Sequence, residues 1–199
     1  RGIRGRSLRG HSVHTRRQAV RRDAADVNRS QDNDEKPTIL VAGVGNIFLS
    51  DDGFGPEVAR HLAGESQPLP SQVRLVDYGI RGMHLAYDLL EGYAALVLID
   101  ARPGSGAAGD LVVLEIGPDD VASEEFDAHG MDPVAVLATL PDIGGQLPPT
   151  YLVGCRPAEL GEGIGLTPAV QSSVPAAADA VRRLVRQLID DPHNVGERV

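Results

Sequence analysis

Short apolar runs alternate with amphipathic stretches along most of this chain. Thr38–Gly43 (TILVAG) is an unbroken apolar run of buried-strand length, closed by Gly43 and Gly45. Pro56–Ala63 follows with helical spacing that puts Val58, Ala59 and Leu62 on one side. Gln72–Val76 reads as a second strand. Gly82–Leu90 reads as a helix carrying Met83, Leu85, Ala86, Leu89 and Leu90. Ala95–Ile99 is an apolar third strand stopped by Asp100, and Asp110–Ile116 alternates as an outer strand does. Asp132–Leu140 is expected to be helical and Thr150–Val153 a strand. Pro168–Leu188 is a long terminal helix whose Arg182–Arg186 face is expected to be solvated. No internal repeat or heptad pattern interrupts this order.

Strand and helix signals in alternation predict a three-layer α/β/α domain with a mostly parallel sheet and helices on both faces. In such folds ligands bind beyond the carboxyl ends of the strands, where the strand order reverses. The residues to weigh are therefore those after each strand: Asn46–Gly53, Asp77–Gly82, Asp100, and the loops around His129 and Gly154–Gly165.

Composition narrows the function. The 199 residues are 42% hydrophobic, without tryptophan and with seven Phe or Tyr in all, so Val, Leu, Ile and Ala must build the core. A single cysteine, Cys155, excludes an internal disulfide framework and reads as a packing residue. No apolar run approaches the ~20 residues of a membrane-spanning helix. The net charge of −9 is unevenly spread. Residues 1–30 hold nine arginines against Asp23 and Asp26, a net of +7, whereas the remainder holds ten basic and 26 acidic groups, a net of −16. The acidic body argues against a nucleic-acid partner. Residues 1–36 read as a disordered basic arm and polar linker, 37–190 as the domain, and 191–199 as a tail.

The first loop, Gly43–Glu57 (GVGNIFLSDDGFGPE), begins like a dinucleotide-binding turn, but Phe48 stands where the third glycine belongs. Its Asp51-Asp52-Gly53 triplet precedes a helix. One aspartate is expected to cap that helix, leaving the other free to face the cleft. Asp100 ends a buried strand and either caps a loop or projects into the same cleft. His129, in DAHGMDP, lies in a further loop with Asp132 as a natural helix cap. Two carboxylates and an imidazole form a ligand set suited to nickel, zinc or iron. His61 and His84 fall within helices and read as surface or packing residues.

The blocks GVGNIFLSDDGFG, VDYGIRGMHLAYDLL, LVLIDA, DAHGMDPVAVL and GCRPAELGEGIGLTP occur in the order seen in the hydrogenase maturation proteases. The chain resembles that family from about Ile39 to Leu188. The resemblance implies a twisted five-stranded sheet in an α/β/α sandwich. It also implies an endopeptidase, grouped with the aspartic type, that trims the C-terminal extension from the large-subunit precursor of a [NiFe]-hydrogenase. The family's metal-contacting positions fall on Asp52, Asp100 and His129, with Asp52 the candidate catalytic carboxylate. Many members carry glutamate where this chain has Asp52, which shortens the arm by about 1.5 Å. By the same resemblance no metal is resident: the triad contacts nickel already loaded in the precursor. A cytoplasmic monomer without membrane attachment is expected. Two other readings use the same residues differently: a nickel-sensing chaperone that binds precursor without cutting it, and a nucleotide-binding α/β domain.

Overall fold

The computed structural model describes residues 38–117 and 135–191, all within the unit Glu35–Val199. Five strands form one sheet: β1 (Ile39–Val44), β2 (Val73–Gly79), β3 (Ala95–Ala101), β4 (Leu111–Ile116) and β5 (Thr150–Cys155), in the order β2-β1-β3-β5-β4. The first three and β5 run parallel, while β4 pairs antiparallel with β5 along the edge. The central strands are largely apolar because both of their faces are covered. Edge strand β4 does not alternate as expected: Leu111 and Val113 pack toward one core, Leu114 and Ile116 toward the other, and Val112 and Glu115 are exposed.

Side chains of one strand point alternately to opposite faces, so each strand feeds two cores. Ile39 and Val41 of β1, with Val97, Ile99 and Val153, pack under α1 (Phe54–Gly64) and the terminal helix α3 (Pro168–Asp190). Leu40, Ala42, Leu96, Leu98 and Leu152 face α2 (Gly82–Leu89) and a 3-10 helix, Ala135–Ile143. The architecture is thus the expected three layers.

Two local expectations need correction. The stretch expected as a helix over Asp132–Leu140 is a 3-10 helix where it is described, and it runs on to Ile143 through Pro141. Proline has no amide hydrogen and its ring crowds the carbonyl four residues back, which works against the wider α-turn. The Arg182–Arg186 face is not uniformly solvated either. Arg183 and Arg186 are exposed, but Arg182 is only 8% exposed; its Nη2 ion-pairs with Glu65 and donates to the Gln67 carbonyl at 2.7 Å. This link ties the terminal helix to the end of α1.

The carboxyl ends of the four parallel strands share one rim. Strand β1 pairs with β2 on one side and β3 on the other, so the order reverses at β1. The loop after β1 and the end of β3 meet there.

Candidate functional site

Close backbone packing builds the rim. Gly55, in the first turn of α1, sits on the ends of β1 and β3: a Cβ there would stand 2.2 Å from the carbonyl oxygens of both Val44 and Ile99. Gly43 allows the same approach from the sheet side, since its Cβ would meet the Gly55 carbonyl at 2.5 Å. Gly43, the first glycine of the turn that begins like a nucleotide-binding loop, therefore serves to seat α1 on the sheet.

Gly45 has φ +127°, a conformation that disfavours any side chain, and donates its N–H to the Gly79 carbonyl at 3.1 Å. A Cβ at Gly45 would lie 1.9 Å from the Asp52 carbonyl oxygen and 3.7 Å from Asp100 Oδ1. The fold thus brings Asp52 and Asp100, 48 positions apart in sequence, against the same glycine. Asp52 lies in a 3-10 turn, Ser50–Gly53, that precedes α1, and it is half-buried. The Asn46 N–H donates to its Oδ2 at 2.6 Å. Burial pushes the Asp52 carboxyl above its ordinary value, and the Asn46 bond offsets only part of that. Asp100 Oδ1 accepts from the Ala101 N–H at 2.8 Å. His129 lies outside the described residues. Among the described residues no cluster of three metal-binding side chains occurs.

Neither aspartate of the triplet caps a helix: the 3-10 turn and α1 both begin without a side-chain cap. Asp51 is fully buried and joins two loops. Its Oδ2 accepts from the N–H groups of Ala158 (2.8 Å) and Glu159 (3.1 Å) and from the Thr167 hydroxyl (3.0 Å). Its Oδ1 accepts from the Thr167 N–H at 2.7 Å. Burial raises the Asp51 pKa, but these four bonds to the charged form outweigh it and hold the group below the ordinary carboxylate range. Thr167, at the N-cap position of α3, thus spends its hydroxyl on Asp51.

The backbone reinforces the joint. Ser50, with φ +49°, donates its N–H to the Gly163 carbonyl, and the Gly163 N–H donates to Phe48 O, both at 3.0 Å. Ser50 Oγ donates to the Gly161 carbonyl at 3.1 Å. Residues 158–167 therefore set the position of the turn that carries Asp52. Sequence reasoning missed this role; the only signal is the presence of two adjacent aspartates where one cap suffices.

A groove of about 360 Å³ opens beside the turn. Ser50 and Gly53, on either side of the two aspartates, line it together with Ile47, Pro56, Ile164, Leu166 and Gln171. The exposed Glu57–Arg60 ion pair and Asp77 complete its walls. The Asp77 carboxylate accepts from the Gly79 N–H at 2.9 Å, at the carboxyl end of β2.

An α/β/α sandwich with paired acidic loops at its switch point defines a class, and comparison with known proteins identifies it. The hydrogenase maturation protease model matches residues 56–184, and the chain belongs to that family. It is a hydrolase of the peptidase kind. It is 36% identical over 152 residues to the hydrogenase expression/formation protein HupD of Rhodobacter capsulatus, covering 73% of this chain and 70% of that one. Identity to the hydrogenase 2 maturation protease of Escherichia coli is 29% over 152 residues, covering 75% and 91% of the two chains. The solved structure of the hydrogenase-maturating endopeptidase HybD from E. coli superposes with a TM-score of 0.64 at 31% identity, over 75% of this chain and 92% of that one.

Proposed function

We propose that this peptidase removes the C-terminal extension from the nickel-loaded large-subunit precursor of a [NiFe]-hydrogenase, and that Asp52, Asp100 and His129 contact the nickel of that substrate. The observation that supports the reading is that the Asp52 main-chain carbonyl and the Asp100 carboxylate both lie against Gly45, which makes the two residues neighbours at the rim. Two carboxylates and an imidazole make an incomplete shell for a divalent ion, which suits a metal whose other ligands belong to the substrate. Asp52 is the carboxylate to activate the attacking water, in the manner of an aspartic-type peptidase. Burial makes it a stronger base than an exposed aspartate, and the Asn46 N–H fixes its Oδ2. The enzyme works in the cytoplasm as a monomer, without a nucleic-acid or membrane partner. The acidity of residues 31–199 argues against the nucleic-acid partner. Among the described residues no helix is long and apolar enough to cross a membrane.

The test is to mix the purified chain with nickel-loaded and metal-free precursor and weigh the products by mass spectrometry. Shortening of the loaded precursor alone is expected. Stable binding of the loaded precursor without shortening would indicate a chaperone instead. The purified protein itself should lose its nickel on dialysis against a chelator. One nickel retained per chain would mark a resident metal and contradict the substrate-metal reading.

A further inference from the structure

Ile164 is the anomaly of the rim. It stands 85% exposed between Gly163 and Gly165, the most exposed of the large apolar side chains among the described residues. Its loop is not loose: Gly163 is bonded to Phe48 and Ser50, and Thr167 to Asp51. A rigid strap thus holds an aliphatic side chain out of the core, where solvation of its surface is unfavourable. Ile47, also 52% exposed and on the loop that carries Asp52, lines the same groove. Pro56 and Leu166 extend the apolar lining between them.

We infer that this groove is a specificity subsite in which one aliphatic side chain of the precursor is clamped between Ile47 and Ile164. The inference rests on the reading of the protein as the precursor's peptidase and adds to it a determinant of which chain segment is accepted. Three observations support this occupant. The groove is continuous with the 3-10 turn, since Ser50 and Gly53 line it and Asp52 lies between them. Asp52 does not itself line the groove, so the groove would take a side chain next to the bond presented to Asp52 and not that bond itself. The volume of about 360 Å³ is at the small end of ligand clefts and suits a side chain with its backbone rather than a packed helix. Both walls are fixed by the same staple that fixes Asp52, so occupancy of the groove and placement of the bond to be cut are coupled in space. Ile47 and Ile164 act as substrate-binding residues and take no part in bond breaking.

The experiment is steady-state processing of nickel-loaded precursor by Ile164→Ser, Ile47→Ser and the double variant, with direct measurement of precursor affinity. Both side chains are more than half exposed, so the variants should fold with unchanged melting temperature. KM should rise about tenfold for Ile164→Ser with kcat within twofold, and further for the double variant. Ile164→Leu should restore most of the affinity. Tyr87→Ser, which removes an exposed apolar side chain on α2, should change neither constant. Unchanged KM in the Ile164 and Ile47 variants, or a fall in kcat alone, would overturn the inference. Should the wild type bind precursor without cutting it, the proposed activity fails, and the affinity of Ile164→Ser still decides the subsite.

Discussion

Replacing Asp51 with alanine should cost far more than a helix cap is worth. The change removes an acceptor from three backbone N–H groups and one hydroxyl, all gathered around a fully buried carboxylate. Stranding one buried donor costs about 1–3 kcal/mol. Loop relaxation and entry of water recover part of the total, leaving about 3–5 kcal/mol, the range typical of a broken buried charge network. That is a large share of the about 5–15 kcal/mol that holds a domain together. With a urea slope of about 2 kcal/mol/M, the unfolding midpoint should fall by about 2 M. Asp51→Asn keeps one acceptor oxygen but turns an NH₂ toward donors, so it should rescue only part of the loss. The effect also carries a pH signature. The Asp51 pKa is depressed in the folded state, so its stabilisation is complete above the ordinary value of 3.8 and is lost as pH falls through the lowered one. The gap between wild type and Asp51→Ala should therefore close in strong acid. A loss of about 1 kcal/mol or less, as removal of a simple cap gives, would refute the staple.

Asp52→Asn, Asp100→Asn and His129→Ala should each abolish shortening of the loaded precursor while moving the melting temperature by only a few degrees; full processing by Asp52→Asn would remove it from the site. Gly55→Ala should cost about 3 kcal/mol or more, because its Cβ would fall 2.2 Å from two strand carbonyls, and a melting curve matching wild type would contradict that packing. The Cys155 thiol, pushed up to about 11 by burial and next by the Asp51 carboxylate, should resist iodoacetamide at pH 8 in the folded protein. Since a raised folded pKa favours the protonated native state, stability should fall between pH 9 and 11 in the wild type relative to Cys155→Ala, as urea midpoints across that range would show.

The sheet was legible because its strands advertise themselves. TILVAG and ALVLI are apolar on both faces and stand in the centre, while LVVLEI, interrupted by Glu115, stands at the edge. What escaped the sequence was long-range. Asp51 and Asp52 are identical in type and adjacent, and only donors 107 to 116 positions away decide which one is structural. Arg182 looks like its neighbours Arg183 and Arg186 until Glu65, 117 positions earlier, is found beside it. Ile164 offered no signal either. An apolar residue in a glycine-rich loop can turn inward or outward, and backbone bonds to Phe48 and Ser50 turn this one out. The 3-10 helix over Ala135–Ile143 kept the apolar spacing of an α-helix, with Pro141 as the local clue against it.

The strand order has a consequence for how the chain is made. Strand β5 enters last and lies between β3 and β4, both of which are synthesised before it. Until residues 150–155 emerge, β4 has no neighbour in the sheet, and β3 presents an unpaired edge of apolar residues. The face under α3 stays uncovered longer still, until the ribosome has delivered the chain as far as Leu188. Closure therefore waits for β5 and α3 and comes in one long-range event, with two strand edges left open until then. A stalled or truncated chain ending before Thr150 would carry both edges into the cell, and self-association at those edges, rather than loss of peptidase activity, would be its first fault.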